Sequence, residues 1–247
     1  AYVLHGIDDL RLEETALSEI KEREVLVKVM AAGICGSDIP RIYKTGTYSY
    51  PLIPGHEFSG TVIETGLKAD KKWMGKRVGI FPLIPCGECE PCRKKQYEMC
   101  RHYSYLGSRT NGGFAEYVAV PEENLIELPE EVSYEVAAML EPMAVAVHAM
   151  RKSGVMKENT VVVYGLGTIG LLLCMFLLDA GVRDIYVIGN KEFQKRMADL
   201  LGISETHYCD CRTREVSKWL QEQTGGRGVD VFFECVGKNE TIADAIG

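Results

Sequence analysis

The fold of the second half of this chain is decided by the stretch Val161-Val162-Val163-Tyr164-Gly165-Leu166-Gly167-Thr168-Ile169-Gly170. It begins as an apolar run of strand length, turns through glycines spaced G-x-G-x-x-G, and continues into an apolar helical segment. In this context the first glycine permits a tight turn, the second lets a pyrophosphate approach the main chain, and the third lets helix and strand pack closely. The free N–H groups at the helix start can then bind phosphate. The motif predicts a dinucleotide-binding turn, with a purely structural turn as the alternative; its residues are Gly165, Leu166, Gly167, Thr168, Ile169 and Gly170.

The segments after this turn continue the alternation of strand and helix. Strands are predicted at 161–164, at 184–188, near His207 and at 229–235, and helices at 168–180, 192–201 and 216–223. Such alternation indicates right-handed βαβ units around a parallel sheet. We therefore expect a doubly wound Rossmann domain over residues 156–247. A complete sheet of this kind has about six strands, so we expect an incomplete one, with about four of the six present.

Residues 1–155 have a different texture, with short strands separated by glycine and proline. Apolar and polar residues alternate at 24–31, 58–65 and 113–120, which predicts half-buried strands, and a further strand is predicted at 76–81. This half is expected to form an irregular β-rich domain. The whole chain is thus predicted to be of the α/β class, with a β-rich domain followed by a dinucleotide-binding domain.

The composition is that of an ordinary globular protein, with 247 residues, of which 46% are hydrophobic and 26% charged. The formal net charge of −7, with no cluster of basic residues, argues against a partner that is nucleic acid or an anionic membrane surface. The longest apolar run, residues 169–178, is too short to cross a bilayer. The first residues lack the layout of a signal peptide, so we expect a protein of the cytoplasm.

The cysteines are the strongest chemical signal in the first half. Of the nine in the chain, four lie in the pattern Cys86-x-x-Cys89-x-x-Cys92-x7-Cys100. Four thiolates so close in sequence can surround one zinc ion as a tetrahedron and leave no open position, which is typical of a structural site. An iron–sulfur cluster is the competing interpretation, and four cysteines without a ligand are the plain one.

A second set of metal-binding residue types is dispersed along the chain. It consists of Cys35-Gly36-Ser37-Asp38, of Gly55-His56-Glu57 and of Glu141-Pro142. A thiolate, an imidazole and a carboxylate are the ligands of a catalytic zinc that keeps its fourth position for water or substrate. Sequence spacing does not show that these residues meet, and each of them taken alone is more often structural.

The end of the second strand of the dinucleotide domain is informative about the cofactor. An acidic residue there would bind the ribose 2′-hydroxyl of NAD. This chain instead has Gly189-Asn190-Lys191, with Lys195 and Arg196 close behind. These cations could meet the 2′-phosphate of NADP, so the prediction leans slightly from NAD toward NADP. Solvated lysines at a helix start are the alternative.

Together these motifs resemble the zinc-containing medium-chain alcohol dehydrogenase family, since the GHE tripeptide at Gly55, the four-cysteine lobe and the glycine turn stand in its order and spacing. The resemblance implies a GroES-like β domain, then a Rossmann domain, then a closing segment of the first domain that this chain is expected to lack. Within the family the polyol dehydrogenases, with the galactitol-1-phosphate dehydrogenases among them, are most similar. That similarity is carried by residues 35–41, by Gly107-Ser108-Arg109 and by Glu141-Pro142.

The resemblance also assigns site residues. Cys35, His56 and Glu141 are implied as ligands of a catalytic zinc, with Glu57 as an alternative or exchanging ligand. A structural zinc is implied at Cys86, Cys89, Cys92 and Cys100. The implied activity is hydride transfer between a polyol or polyol phosphate and NAD or NADP, in a homo-oligomer that is a dimer or a tetramer.

Two features of the implied chemistry are specific to this chain. Ser37 would hydrogen-bond the substrate oxygen and pass its proton on. Pro40 stands where many relatives have a relay histidine, so proton release would run through Ser37, a water or Glu141. Arg41 and Arg109 are hypothetical partners of a substrate phosphate, with surface salt bridges as the alternative. His148 lies in an apolar helical stretch and is predicted to be a packed core residue and not a ligand.

Two other classes of function remain open at this point. One is a zinc-ribbon protein that holds nucleic acid on the four-cysteine lobe, which the negative net charge disfavours. The other is a zinc-free or non-catalytic relative of the same superfamily, which would carry at most the structural metal. Metal analysis distinguishes it from a dehydrogenase with two zinc ions per chain.

Overall fold

A computed structural model of the chain describes residues 1–246. The chain divides into two compact units, Ala1–Glu141 and Pro142–Gly247. The division falls just inside a helix, after Glu141, whereas the sequence analysis placed the domain boundary at residue 155. The boundary between functional domains stays a prediction.

Nine strands lie in the first unit: β1 (Tyr2–Gly6), β2 (Asp9–Leu12), β3 (Glu24–Gly33), β4 (Glu57–Thr65), β5 (Arg77–Ile80), β6 (Leu83–Ile84), β7 (Ser104–Tyr105), β8 (Tyr117–Pro121) and β9 (Leu125–Glu127). Five of them form an antiparallel sheet in the order β8-β3-β4-β5-β9, and β1 pairs with β2 and β6 with β7 as two small sheets. The predicted β-rich character of this half is confirmed.

The register of the central pair brings distant parts of the sequence together. The last residue of β3, Gly33, lies opposite Glu57, the first residue of β4. A Cβ atom on Gly33 would stand 2.5 Å from Oε2 of Glu57, so a larger residue there would displace this carboxyl group. The loop that follows β3 and the residues that precede β4 are therefore next to each other at this end of the sheet.

The core of this sheet consists of side chains from alternate positions of its strands. Its fully buried members are Val25, Val27, Phe58, Val62, Val78 and Val120. Burial of each such side chain stabilises the fold by about 1.5–3 kcal/mol relative to exposure. The apolar residues that alternate in the sequence thus lie on the face of the sheet that forms the core.

The strand predicted at 113–120 begins only at Tyr117. Its first residues lie against the segment before β4, because the N–H groups of Gly112, Gly113 and Phe114 donate to carbonyls of residues 53–55. Side chains at Gly112 and Gly113 would collide with Gly55 and with the ring of Phe58. Glycine here serves close packing of a loop, which the alternation pattern did not reveal.

Helices are short in the first unit. They are α1 (Asp38–Pro40), continued by a π-helical turn (Arg41–Thr45), then α2 (Glu90–Arg93), α3 (Tyr134–Ala138) and the start of α4 (Leu140–Ser153). Single 3₁₀ turns occur at Lys71–Trp73, Tyr97–Met99 and Glu122–Asn124. The loop with Cys35 thus leads into α1, and the four-cysteine segment contains α2 and the turn at Tyr97–Met99.

The second unit has the predicted alternation. Its strands are β10 (Thr160–Tyr164), β11 (Asp184–Gly189), β12 (Tyr208–Asp210) and β13 (Val231–Glu234), and its remaining helices are α5 (Thr168–Asp179), α6 (Glu192–Leu200), α7 (Val216–Thr224) and α8 (Asn239–Ile246), with a 3₁₀ turn at Glu205–His207. All pairings are parallel, in the order β12-β11-β10-β13. The prediction of a parallel sheet with about four strands is confirmed for the described residues.

The apolar strand that opened the sequence analysis lies at the centre of this sheet. Val161, Val162 and Val163 are wholly buried between β11 and β13. His148, by contrast, is exposed on α4, so its prediction as a packed core residue is wrong. The apolar residues around it in sequence lie on several faces of the helix, since Ala144 and Val145 are exposed while Ala146 is buried. No helix within residues 1–246 combines the length and the apolar character needed to span a membrane.

Candidate functional site

Three of the dispersed metal-binding residues meet in the first unit. Sγ of Cys35, a ring nitrogen of His56 and a carboxylate oxygen of Glu57 all lie within 4.8 Å of one another. Cys35 comes from the loop after β3 and the other two from the start of β4, so the β3–β4 register creates the group. His56 and Glu57 are buried, with 5% and 9% of their surfaces exposed, whereas Cys35 is half-buried and accessible.

The other predicted carboxylate has a different partner. Glu141, in the first turn of α4, is absent from this group of three, and its Oε1 accepts a hydrogen bond of 3.1 Å from the phenol of Tyr105. Burial raises the pKa of Glu57, and the charge of Glu141 raises it further. Tyr105, which binds Glu141, packs against the ring of His56 and so places Glu141 near the group. The structure thus presents two acids to one site and brings Glu57 to the thiol and the imidazole.

Ser37 lies at the accessible side of the group. Its hydroxyl donates to Sγ of Cys35 at 3.3 Å, and the residue itself is exposed. The predicted proton-transfer residue is therefore adjacent to the thiol and open to solvent. A hydroxyl placed this way can bridge a bound hydroxyl group and water.

Asp38 is the site residue that the sequence analysis quoted without a role. Its carboxylate is fully buried, accepts the N–H of Cys35 at 3.0 Å and the guanidinium of Arg41 at 2.8 Å, and lies 3.5 Å from Nδ1 of His56. The sequence signal that could have revealed this role is the position of the carboxylate, in the first turn of α1 and three residues after the candidate ligand Cys35. Asp38 positions both the thiol and the imidazole.

Nδ1 of His56 has no hydrogen bond with good geometry to any residue of the described chain, although it is buried. Burial opposes a positive charge on the ring, but Asp38 and Cys35 outweigh it and raise the pKa of His56 to about 10. A metal ion on the other ring nitrogen would take the place of this charge and leave Nδ1–H to be held by Asp38. That pairing of carboxylate and imidazole is usual behind metal-binding histidines.

Tyr105 was not predicted. Its ring packs edge-on against that of His56 with centroids 5.8 Å apart, and its hydroxyl binds Glu141. Burial, with the charge of Glu141, raises the pKa of Tyr105 and keeps it protonated as a donor. An aromatic residue in a two-residue strand gives no sequence signal of this role.

The four-cysteine lobe is assembled as its spacing predicts. The four Sγ atoms lie within 4.8 Å of one another, with separations of 3.9 Å for Cys86–Cys92, 3.4 Å for Cys89–Cys92 and 3.8 Å for Cys89–Cys100. Four sulfurs held about 2.3 Å from one zinc ion stand about 3.8 Å apart. Main-chain N–H groups of Arg101 and Cys92 lower the pKa of Cys89 to about 6, which favours a thiolate. The donor set and its size fit a closed zinc site.

The glycine turn in the second unit has the geometry that its motif requires. Gly165 has a φ of 98°, a conformation that favours glycine, and a side chain on Gly170 would collide with the carbonyl of Gly165. Gly167 has an ordinary φ of −82° and nothing within 4 Å of the place of a Cβ atom. The first and third glycines are thus needed for packing, while the second leaves space before the start of α5.

The end of β11 shows why an acid is absent there. A side chain on Gly189 would stand 2.9 Å from both Oε1 of Gln194 and the hydroxyl of Tyr208. The amide oxygen of Gln194 accepts the N–H groups of Asn190 and Lys191. Lys191 is exposed, whereas Lys195 forms an ion pair of 2.6 Å with Glu205. Of the predicted cations, Lys191 and Arg196 are both exposed and have no such partner among the described residues.

Comparisons with known proteins agree with this geometry. The family described as Alcohol dehydrogenase GroES-like domain matches residues 21–130, and the family described as Zinc-binding dehydrogenase matches residues 168–247. Galactitol 1-phosphate 5-dehydrogenase of Escherichia coli is 37% identical over 198 residues, which cover 80% of this chain and 57% of the relative. Sorbitol dehydrogenase of Bacillus subtilis is 30% identical over 100% of this chain and 70% of its own length. D-arabitol-phosphate dehydrogenase of Enterococcus avium is 37% identical over 94% of this chain and 66% of its own length.

Solved structures are similar over nearly the whole chain. Galactitol-1-phosphate dehydrogenase of Escherichia coli matches with a TM-score of 0.91 and 32% identity, covering 99% of this chain and 70% of that one. A zinc-binding dehydrogenase of Sinorhizobium meliloti, bound to NADP, matches with a TM-score of 0.90 and 31% identity over 98% of this chain and 71% of that one. An alcohol dehydrogenase of Escherichia coli, complexed with NADH, matches with a TM-score of 0.91 and 27% identity. The match covers 99% of this chain and 71% of that one. The chain thus spans 57% of the length of the first of these relatives and about 70% of the structures.

Proposed function

This chain belongs to the zinc-dependent medium-chain dehydrogenase family, and we propose that the protein transfers a hydride between a polyol or polyol phosphate and a nicotinamide cofactor. The observation that carries the proposal is the group of Cys35, His56 and Glu57, with the exposed hydroxyl of Ser37 beside it. Thiol, imidazole and carboxylate are ligands for a zinc ion that keeps a position for substrate. The polyol assignment is supported by relatives named for galactitol 1-phosphate, sorbitol and arabitol phosphate.

Two zinc ions per chain are part of the proposal. Cys35, His56 and one carboxylate would hold the catalytic ion, with Glu57 closest in this structure and Glu141 as the exchanging acid. Cys86, Cys89, Cys92 and Cys100 would hold the structural ion. When bound, the catalytic ion supplies Lewis acidity, which favours the ionised form of a substrate hydroxyl.

The residues of the chain have distinct tasks in this scheme. Ser37 accepts a hydrogen bond from the substrate hydroxyl and transfers a proton to water, because its own hydroxyl is exposed and Pro40 offers no relay group. Asp38 holds the imidazole of His56 and the N–H of Cys35 in place. Burial of His56 and Glu57 keeps water away from one side of the reacting centre.

The cofactor is proposed to bind at the turn Gly165–Gly170, with a slight preference for NADP over NAD. The preference is supported by Gly189, which leaves no acid for the ribose hydroxyls, and by the exposed Lys191. We expect Lys191→Ala to weaken NADPH binding about tenfold and NADH binding little, as judged by cofactor fluorescence titration. Equal effects on both cofactors would contradict the preference.

We further propose a homo-oligomer, a dimer or tetramer, in the cytoplasm. The cytoplasm is supported by the grouping of Cys86, Cys89, Cys92 and Cys100 as a metal site, because clustered thiols in an oxidising compartment more often form disulfides. Sedimentation velocity of the purified protein tests the oligomer, and a monomer at micromolar concentration contradicts it.

The experiment that tests the proposed function combines metal analysis with an oxidation assay. The whole protein is expected to contain two zinc ions and to reduce NAD or NADP with a member of a panel of polyols and polyol phosphates. Cys35→Ser is expected to remove one zinc ion and the activity, while Cys211→Ser, remote in sequence from both metal sites, leaves the zinc content unchanged. One zinc ion in the wild type would favour a relative that carries only the structural metal. Binding of oligonucleotides at low salt would favour the zinc-ribbon alternative.

A further inference from the structure

Arg109 has an unusual environment in the first unit. Its guanidinium carbon lies 4.1 Å from the centre of the Tyr48 ring and 4.4 Å from that of the Tyr103 ring. Among residues 1–246 no carboxylate forms an ion pair with it, whereas Arg41 is paired with Asp38 at 2.8 Å. Of the two arginines that the sequence suggested as phosphate partners, the structure leaves Arg109 free.

The two tyrosines orient this cation. Contact with aromatic rings fixes the plane of a guanidinium and leaves the N–H groups at its edge able to donate. A planar donor edge of this kind binds the oxygens of a phosphate in pairs. Arg109 is half-buried, so its side chain is already partly ordered and loses less conformational entropy when a ligand binds.

The clamp of Tyr48, Arg109 and Tyr103 is joined to the candidate metal site through the main chain of Tyr105. The N–H of Arg109 donates to the carbonyl of Tyr105 at 2.9 Å, and the ring of Tyr105 packs against His56. On the other side, the hydroxyl of Thr47 donates to the carbonyl of Ser108 at 2.9 Å. The clamp is therefore joined to the residues on either side of it: Arg109 to Tyr105, and the segment of Tyr48 to Ser108.

The acidic side chains of the site favour a separate cation for an anionic substrate. Cys35, Asp38, Glu57 and Glu141 surround the proposed reaction centre, and Arg41 is engaged by one of them. A phosphate ester adds a charge of about −1.5 to −2 at neutral pH. A neutral polyol needs no such compensation, whereas a phosphorylated one does.

We propose that Arg109, held between Tyr48 and Tyr103, binds the terminal phosphate of a phosphorylated polyol and so selects it over the free polyol. This inference rests on the proposed function, since it names the substrate class of the same site. It assigns Arg109 as a specificity-determining residue that touches the substrate at a distance from the reacting carbon.

Direct binding tests the inference without requiring turnover. Zinc-loaded protein is titrated in a calorimeter with galactitol 1-phosphate, with galactitol and with galactonate, the carboxylate analogue. Wild type is expected to bind the phosphate at least about tenfold more tightly than the other two, and Arg109→Gln is expected to weaken phosphate binding about 10- to 100-fold with galactitol unchanged. Arg23→Gln, which removes an exposed arginine paired with Glu122, is the matched control and should change nothing.

Further variants protect the test against loss of the fold. Tyr48 is 72% exposed, so Tyr48→Ala should keep the melting temperature and zinc content while weakening phosphate binding several-fold. Arg109→Lys should retain part of the affinity, as a charge without the planar edge. The inference is overturned if Arg109→Gln binds galactitol 1-phosphate as tightly as wild type does, or if its affinities for galactitol 1-phosphate and galactitol fall equally. It is also overturned if wild type binds galactitol 1-phosphate no more tightly than galactitol or galactonate.

Failure of the inference and failure of the proposed function give different results. Arg109-dependent phosphate binding without oxidation of any polyol contradicts the proposed function and leaves this inference standing. Oxidation of polyols with no dependence of phosphate affinity on Arg109 contradicts the inference alone.

Discussion

Tyr105 donates a hydrogen bond to Glu141 at 3.1 Å, across 36 residues of sequence. The bond engages one oxygen of the carboxylate at the start of α4, while Glu57 lies in the group with Cys35 and His56. Two buried or half-buried acids thus face one site, and a tyrosine hydroxyl distinguishes them. We expect this contact to influence which of the two carboxylates reaches the candidate metal site.

Replacement of Tyr105 by phenylalanine tests that dependence. The ring against His56 is kept and only the hydrogen bond to Glu141 is lost, a change worth about 1.5–3 kcal/mol for a charged acceptor. Glu141 is then free to compete with Glu57 as a ligand. With cobalt in the catalytic site, we expect the visible spectrum of Tyr105→Phe to shift, and that of Tyr103→Phe, which removes a hydroxyl elsewhere, to stay as in wild type. Identical spectra for all three proteins would mean that the bond does not select the acid.

Removal of the charge of Asp38 should loosen the catalytic metal selectively. Asp38→Asn keeps the size of the side chain but weakens its contacts with Cys35, Arg41 and His56. We expect zinc affinity at the Cys35 site to fall about 10- to 100-fold, as is usual for such partners of metal ligands. Competition with a chromogenic chelator measures it, and Asp9→Asn, in an exposed hairpin pair with Arg11, is the control. Unchanged affinity would show that Asp38 only supports the loop.

Loss of one thiol from the four-cysteine lobe should affect structure and not the reacting centre. Cys92 is buried in the lobe, 3.4 Å from Sγ of Cys89, and Cys92→Ser leaves three sulfurs for a tetrahedral ion. We expect one zinc ion fewer per chain and faster proteolysis within residues 86–100, because few apolar contacts order this loop otherwise. Limited proteolysis followed by mass spectrometry locates the cleavage. Full zinc content in the variant would contradict a four-sulfur site.

An alanine at Gly167 should separate cofactor binding from stability. The place of its Cβ atom is empty and its φ is −82°, so the fold tolerates the methyl group at a cost below about 1 kcal/mol. The same methyl group stands where a pyrophosphate approaches the start of α5. We expect the affinity for NADH and NADPH to fall at least about tenfold with the melting temperature nearly unchanged, measured by fluorescence titration and thermal denaturation.

The control for this variant is Gly6→Ala, whose Cβ position is also empty but lies in the first unit. It should alter neither cofactor affinity nor the melting temperature. A large loss of stability in Gly167→Ala, or full retention of cofactor affinity, would show that the turn is structural only.

The local motifs of this chain were predictable in detail. The glycine turn has the positive φ and the close contacts that its spacing implies, and the four sulfurs of the lobe approach one another as a tetrahedral site requires. The parallel order of the second sheet also followed from the alternation of strand and helix. In each case the interacting atoms are joined by a short stretch of chain, so spacing alone restricts their geometry.

The dispersed site was predictable only as a set of residue types. Glu57 and Glu141 were both named, but their different partners follow from the register of Gly33 with Glu57 and from the position of Tyr105. The strand predicted from 113 was wrong at its start, because glycines that pack against Gly55 resemble the start of a strand in sequence. Similarly, an exposed His148 and a packed one look alike in an apolar helix.

The sequence by itself determined the class of fold, the grouping of the four cysteines and the glycine turn, since these depend on contacts within about one to two dozen residues. Only the tertiary structure decided that Asp38 binds the N–H of Cys35 and lies against His56, that Arg41 is engaged by Asp38, and that Arg109 is free between Tyr48 and Tyr103. The physical reason is that these contacts join loops far apart in sequence. Their meeting depends on strand register and on side-chain orientation, which have no periodic signature along the chain.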